Sequence, residues 1–290
     1  MKIDEISVGA SPHRNDDHVA VFRFANHTDI IVLDGGTSVS ECDYIDEVHG
    51  DVAWFVHAFT AALEPWLGSG IEQQECVQEA IGTVHAAFRQ HMATRALPIH
   101  AWPIAAMTWC RITRRNDAFQ ATLYSLGDCK TLLRTASGAC IDLDPFINPQ
   151  DAILQDAIAV LRVEGIHEPE QRRERMLPML RARREVQNTM PMPTVLCVQP
   201  NGPFQARTHS LAVETHACLL IMTDGFYRLV DPYGLFTDVA LLDACLRRGL
   251  GAQLDELRKF EVSSNRTGER AVKASDDASA VLWTAQARSD

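Results

Sequence analysis

Two apolar runs of the sequence each end in an aspartate followed by a glycine. Residues 30–36 read Ile-Ile-Val-Leu-Asp-Gly-Gly, and residues 218–225 read Cys-Leu-Leu-Ile-Met-Thr-Asp-Gly. Such runs are typical of buried β-strands, so Asp34 and Asp224 are predicted at strand ends. A glycine after the aspartate lets the backbone approach whatever the carboxylate binds. Asp-Gly after a strand also forms ordinary turns, and for either copy alone that explanation stays open.

Further aspartates border other apolar β runs, namely Asp16, Asp17, Asp128, Asp276 and Asp277. Strand ends gather at the rims of a sheet or sandwich, so carboxylates that are distant in sequence can converge there. Converging carboxylates repel and raise each other's pKa unless cations neutralise them. Hard divalent cations bound by oxygen ligands, Mg²⁺ or Mn²⁺, are the natural partners of such a cluster.

The hydrophobic pattern predicts alternating groups of strands and helices around these aspartates. Strands are predicted at residues 2–8, 18–24, 30–36, 104–113, 119–126, 130–134, 194–198, 218–223 and in a final run that ends at 283. A period near 3.6 predicts helices at 43–67, 70–96, 151–163, 168–188, 226–230, 237–248 and 253–261.

Composition excludes several classes of protein. The chain has 290 residues, 46% of them hydrophobic, which is typical of a globular protein. A net charge of −11 argues against general binding to nucleic acid or to an anionic membrane. No uncharged apolar stretch approaches the ~20 residues of a membrane span, and the start of the chain lacks an apolar signal core. Eight cysteines without a Cys-x-x-Cys pair indicate reduced thiols. A cytoplasmic monomer is therefore the default expectation.

One segment differs in character from the rest of the chain. Prolines at 145, 149, 191 and 193 bracket it, and its second half is rich in arginine. We interpret residues 1–290 as a single domain with a helical insertion at about 145–193. The arginines could bind a phosphate, but a solvated helix face is the simpler interpretation.

The order of the acidic motifs resembles that of the metal-dependent Ser/Thr protein phosphatases of type 2C, in their bacterial form. The family's Asn-Glu-Asp, Asp-Gly-x-Gly, Gly-Asp-Ser, Asp-Gly-aromatic and Asp-Asn-x-Ser/Thr motifs look like residues 15–17, 34–36, 127–129, 224–226 and 276–279 here. Each motif is short, but the ordered set spans almost the whole chain. The resemblance implies an α+β fold, a four-layer α-β-β-α sandwich of two antiparallel sheets flanked by helix pairs.

The resemblance also implies a set of metal ligands. Asp34 would bridge two metals, and the Gly35 carbonyl would bind the second. Asp224 and Asp276 would complete the first metal, while Asp128 would support a third ion together with Asp224. The implied cofactors are two or three Mn²⁺ or Mg²⁺ ions. Asp16 and Asp17 would hold water molecules bound to the metals, so Asp17 is counted with the metal-binding residues, and Asn15 belongs to the same surroundings.

The implied reaction is hydrolysis of phosphoserine or phosphothreonine in a protein substrate, by in-line attack of a hydroxide that bridges the metals. Asp34, Asp224 and Arg14 are the candidate catalytic residues. Arg14 enters because the family usually places a phosphate-binding arginine where this chain has Pro12; Arg14 or His13 could replace it, or this phosphate contact is missing. The alternative is a catalytically weak relative that binds phosphorylated proteins as a regulatory module.

Overall fold

A computed structural model describes residues 1–93, 95–116, 118–263 and 275–285 of the chain. Its strands are β1 (Lys2–Val8), β2 (His18–Arg23), β3 (His27–Gly35), β4 (Ile104–Arg115), β5 (Ala118–Leu126), β6 (Lys130–Arg134), β7 (Cys140–Asp142), β8 (Leu196–Cys197), β9 (Arg207–Val213), β10 (Cys218–Met222) and β11 (Ala278–Thr284). Its helices are α1 (Asp51–Leu67), α2 (Gln73–Met92), α3 (Pro149–Val163), α4 (Pro169–Thr189), α5 (Asp224–Tyr227), α6 (Asp238–Arg248) and α7 (Leu250–Ser263).

The strands form two antiparallel sheets. One sheet has the order β1-β11-β10-β6-β7, and the other has the order β2-β3-β4-β5-β9, with β8 paired to β4. Strand β3 is central in the second sheet, between β2 and β4. Strand β10 is central in the first, between β11 and β6. Both strands that end in Asp-Gly are therefore covered by a neighbouring strand on each side.

Strand β3 shows how the layers arise from the sequence. Its side chains alternate between two faces, as in any β-strand. Ile30 and Val32 pack into the core between the two sheets, whereas Ile31 and Leu33 pack against the helices on the other side. Both faces are buried, which explains why the run is continuously apolar rather than alternating.

Helix pairs cover the outer faces of both sheets. Helices α1 and α2 bury Phe55, Phe59 and Val77 against the sheet that contains β3. Helices α6 and α7 bury Leu242 and Leu257 against the sheet that contains β10. The predicted α+β fold, with two antiparallel sheets between helix pairs, is thus confirmed. No helix among the described residues is long and apolar enough to cross a membrane.

Helix α1 begins eight residues later than predicted. The prediction followed Ile45 and Val48, which continue the apolar period of the helix, but these residues lie in a loop. The buried Asp51 carboxylate organises this loop by accepting backbone N–H groups from Tyr44, Ile45 and Asp46 at 2.7–3.1 Å. Asp51 lies in the first turn of α1, where a negative charge is also favoured by the helix dipole.

Two strands were not predicted from the sequence. Strand β9 is an edge strand that pairs with β5 only, and most of its residues are exposed. Polar residues therefore occupy most of its positions, and the strand lacks the alternation of apolar and polar residues that a half-buried strand normally shows. Strand β7 has three residues, which is too short to give a periodic signal.

The helices predicted in the 145–193 segment are confirmed as α3 and α4, but the prediction of a solvated arginine face is wrong for part of α4. Arg173, Arg181 and Arg184 donate hydrogen bonds to backbone carbonyls of residues 36–39. A loop has carbonyls that no strand or helix satisfies, and guanidinium groups are well suited to bind them. Helix α4 therefore packs against the segment that directly follows Asp34 and Gly35.

The Asp51 interactions lead to a stability prediction. Replacing Asp51 by Ala leaves three backbone N–H groups without their acceptor, so the free energy of unfolding should fall by about 2 kcal/mol or more. Urea denaturation measures this change. Glu64→Ala, at an exposed position of the same helix, is the matched control and should change stability by less than about 0.5 kcal/mol. Equal effects of the two substitutions would show that other contacts hold the loop.

Candidate active site

The topology brings five aspartates to one rim of the sandwich. Asp34 lies at the end of β3, and Asp17 directly precedes the adjacent β2. In the other sheet, Asp224 begins α5 just after β10, and Asp276 precedes the adjacent β11. Asp128 lies in the turn that connects β5 in one sheet with β6 in the other. Each of these aspartates flanks a strand, and a neighbouring strand is flanked by another of the five. The strand order is therefore enough to bring them together.

Hydrogen bonds connect the aspartates of the two sheets. The backbone N–H of Asp224 donates to Asp34 Oδ2 at 3.2 Å. The Thr223 hydroxyl donates to Asp17 Oδ2 at 2.8 Å, and the Ser279 N–H donates to Thr223 Oγ1 at 3.0 Å. These bonds fix the orientation of Asp34 and Asp17, but their donors are uncharged and leave the negative charge in place.

The negative charge of the clustered carboxylates is not fully balanced by nearby positive charge, and this is visible in their pKa values. Burial raises the pKa of Asp34 well above its ordinary value, and Asp224, Asp17, Asp128 and Asp276 all act in the same direction. Burial also raises the pKa of Asp17. The protein around Asp224 displaces water from the carboxylate and raises its pKa to about 6, and Asp276 and Asp128 add to the rise. Asp224 as a whole residue is nevertheless exposed. A bound cation would relieve this repulsion.

The glycines of the two Asp-Gly pairs allow close contact between backbones. A Cβ atom at Gly35 would clash with the carbonyl oxygen of Asp16 and with Val52. A Cβ atom at Gly225 would clash with the carbonyl oxygen of Asp277. Each glycine therefore lets one acidic segment lie directly against another, which a larger residue would prevent.

Asn15, Asp16 and Asp277 position the segment before β2. Asp277 accepts the backbone N–H groups of Ala10 and Asp16, both at 2.7 Å. Asn15 donates to Ser7 Oγ at 2.8 Å and accepts the N–H of Asp17 at 3.1 Å. The predicted roles of Asn15 and Asp16 around a metal stay predictions. The sequence places Asp277 at the site but gives no sign that its carboxylate holds this loop.

Arg14 lies at the edge of the cluster. Its Nη2 atom is 2.6 Å from Asp43 Oδ2, and 49% of its side chain is exposed. A Cβ atom on Gly50 would lie within 3.8 Å of Arg14, Asp43 and Asp16 together, so the three side chains surround this glycine. Arg14 is thus beside Asp16, with an exposed guanidinium that already has one acidic partner.

Three residues that sequence reasoning missed contact the candidate site. Asn148 Nδ2 donates to Asp128 Oδ2 at 2.8 Å, and the Asn148 side chain also caps the start of α3. Arg184 donates to the Gly36 carbonyl at 3.2 Å, and burial lowers the pKa of Arg184 to about 10. Arg228 lies 2.7 Å from Asp276. Asn148-Pro149 is a recognisable helix start, but nothing in the sequence distinguishes the two arginines from others.

The oxygen ligands at the rim suit divalent metal ions, although the carboxylates do not all surround one ion position in this structure. Carboxylates and the Gly35 carbonyl are the oxygen ligands that Mg²⁺ and Mn²⁺ prefer. Within the described ranges, no group of three or more His, Cys, Asp or Glu side chains is arranged around one ion-sized position. Asp17, Asp34 and Asp276 each bond to a protein donor instead. Each of these bonds occupies one carboxylate oxygen, so metal binding would use the remaining lone pairs or replace the donor.

The repulsion predicts that removing a charge stabilises the metal-free protein. Asp34→Asn keeps the shape and an oxygen that can accept the Asp224 N–H, so the free energy of unfolding at neutral pH should rise by about 1 kcal/mol or more. Chemical denaturation in excess chelator measures it. The exposed Asp255→Asn on α7 should leave stability within about 0.5 kcal/mol of wild type. A less stable Asp34→Asn variant would contradict the inferred repulsion.

No protein-family model and no curated protein matches the sequence. Solved structures do match. The Mycobacterium tuberculosis serine/threonine phosphatase PstP/Ppp has a TM-score of 0.55 at 14% identity, covering 99% of both chains. Stp1 from Staphylococcus aureus has a TM-score of 0.55 at 11% identity, covering 99% of this chain and 96% of that one. The PstP catalytic domain with two manganese ions has a TM-score of 0.50 at 14% identity, covering 97% and 96%. The chain therefore has the fold of the bacterial serine/threonine phosphatases of type 2C.

Proposed function

We propose that this protein is a metal-dependent phosphatase that hydrolyses phosphoserine and phosphothreonine in other proteins. The observation that carries the proposal is the convergence of Asp17, Asp34, Asp128, Asp224 and Asp276 at one rim, where burial and then the four neighbouring carboxylates raise the pKa of Asp34. The fold supports the same function, because similar structures are serine/threonine phosphatases.

The residues fall into a set that would hold two or three divalent ions, Mn²⁺ or Mg²⁺. Asp34 and the Gly35 carbonyl would contribute from one sheet, and Asp224 and Asp276 from the other. Asp128 would contribute to a further ion together with Asp224. When bound, such ions supply a nucleophilic water at neutral pH and offset the charge of the phosphoryl oxygens.

Other residues of the site would orient the reactants. The Asp224 N–H holds Asp34 in one rotamer, and the Thr223 hydroxyl does the same for Asp17. Fixed carboxylates of this kind can accept hydrogen bonds from water and hold it in line with the phosphorus atom. We assign Asp16 and Asp17 to this role and Arg14 to binding of the substrate phosphate. Localisation in the cytoplasm and action as a monomer remain part of the proposal.

Asp224→Ala tests the proposed metal set. The variant should lose about two orders of magnitude or more of Mn²⁺-dependent kcat/KM on p-nitrophenyl phosphate and on a phosphothreonine peptide. Its fold should persist, because the substitution removes a repelling charge. Asp255→Ala at an exposed site is the matched control, and circular dichroism checks the fold of both.

Full activity in Asp224→Ala would remove Asp224 from the site. A wild-type protein that binds the phosphopeptide but does not turn over either substrate with Mn²⁺ would contradict hydrolysis and identify a phosphoprotein-binding module.

Arg14→Ala tests the phosphate contact. Loss of a charged hydrogen bond to the substrate should raise KM by roughly 10- to 100-fold, equivalent to ~1.5–3 kcal/mol, with a smaller change in Mn²⁺ affinity. Steady-state kinetics at saturating Mn²⁺ measure it. Arg23→Ala, an exposed arginine at the opposite end of β2, is the control. If KM is unchanged, Arg14 serves only to pair with Asp43, and Arg184 becomes the arginine to test.

A further inference from the structure

A guanidinium group lies inside the acidic cluster. Arg228 Nη2 is 2.7 Å from Asp276 Oδ2, and only 11% of the Arg228 side chain is exposed. Arg228 follows Asp224 by four residues and ends the same short helix, because its N–H donates to the Asp224 carbonyl at 3.0 Å. The backbone thus holds the arginine next to two of the carboxylates proposed to bind metal.

This arginine is the positive charge that contacts the cluster most directly in the described part of the chain. Burial opposes its charge, but the Asp276 and Asp224 carboxylates outweigh burial and raise the pKa of Arg228 above its ordinary value. The Tyr233 side chain adds to the rise, and among the described residues the buried Nη1 atom has no hydrogen-bond partner of ordinary geometry. The guanidinium is therefore held by charge rather than by a complete set of hydrogen bonds.

We propose that Arg228 is a resident cation that competes with a divalent metal for Asp276 and thereby sets the affinity of the site for that metal. The inference rests on the proposed function in assuming that metals bind here. In the metal-free protein, Arg228 neutralises one carboxylate of the cluster and supports the fold. A metal that takes Asp276 as a ligand competes with the guanidinium for that carboxylate, and the positive charge of Arg228 stays close enough to repel the ion.

The competing explanation is that Arg228 only stabilises the fold. The chain contains a matched ion pair of that kind. Arg111 Nε lies 2.8 Å from the buried Asp29, with 16% of its side chain exposed, at the opposite end of β3 from Asp34. A purely structural role for Arg228 predicts the same behaviour for both pairs, whereas competition predicts a change in metal affinity for Arg228 alone.

The experiment compares Arg228→Gln with Arg111→Gln. Protein stripped of metal is titrated with Mn²⁺ by isothermal calorimetry, and thermal unfolding is followed with and without Mn²⁺. Arg228→Gln keeps a hydrogen-bond donor but loses the charge, so its Mn²⁺ Kd should fall by roughly tenfold or more. Its metal-free Tm should fall, and the rise in Tm on adding Mn²⁺ should grow. Arg228→Lys keeps the charge, and its Kd should stay within about threefold of wild type.

Arg111→Gln should lower Tm and leave the Mn²⁺ Kd unchanged. Arg228→Gln that binds Mn²⁺ no more tightly than wild type overturns the proposal. If Arg228→Gln does not fold alone, both variants are titrated with Mn²⁺ in urea that unfolds Arg111→Gln; refolding of Arg228→Gln at the lower Mn²⁺ concentration supports the proposal, and refolding only at an equal or higher concentration refutes it. These readouts need no turnover, so a wild-type protein without phosphatase activity would refute the proposed function while the Kd comparison still decides the role of Arg228.

Discussion

The fold brings several carboxylates together at one rim, and the rest of the structure has to offset the repulsion between them. Asp34 and Asp224 come from different sheets, and the sandwich core holds the sheets in contact whether or not their rim is favourable. Packing of apolar residues between the sheets therefore offsets the cost of the cluster. The cost is useful, because a site that is unfavourable without cations binds them more strongly. Functional sites are often less stable than the rest of a protein for this reason.

Much of the fold could be predicted because its central strands and covering helices have strong periodic signals. The continuous apolar run at 30–33, ended by Asp-Gly-Gly, is typical of a strand buried on both faces, and the helices pack through an apolar stripe. Prediction failed where contacts between particular residues, rather than hydrophobic periodicity, determine the structure. Asp51 ends a helical pattern by binding backbone groups five to seven residues earlier. Strand β9 exists because it pairs with β5, and its own residues carry little signal.

For the site, the sequence supplied the residues that flank strands but not the side chains that arrive from elsewhere. Asp-Gly pairs are visible in the sequence because carboxylate and glycine adjoin. Arg184 donates to the Gly36 carbonyl from 148 residues away in the sequence. Asn148 donates to Asp128 from 20 residues away. Their contribution depends on how α3 and α4 pack. Arg228 is near Asp224 in sequence, but its partner Asp276 is 48 residues away.

The glycines at 35 and 225 make the rim a place where main chain touches main chain. Side chains can adjust by rotating, but two backbones in contact have no such freedom. Moving the segment before β2 against the end of β3, or the segment before β11 against the turn after β10, would therefore produce collisions after a small displacement. The spacing of the acidic segments within each half of the site is in this sense a property of the polypeptide backbone. Evolution could change the chemistry of the rim one side chain at a time while its dimensions stayed constant.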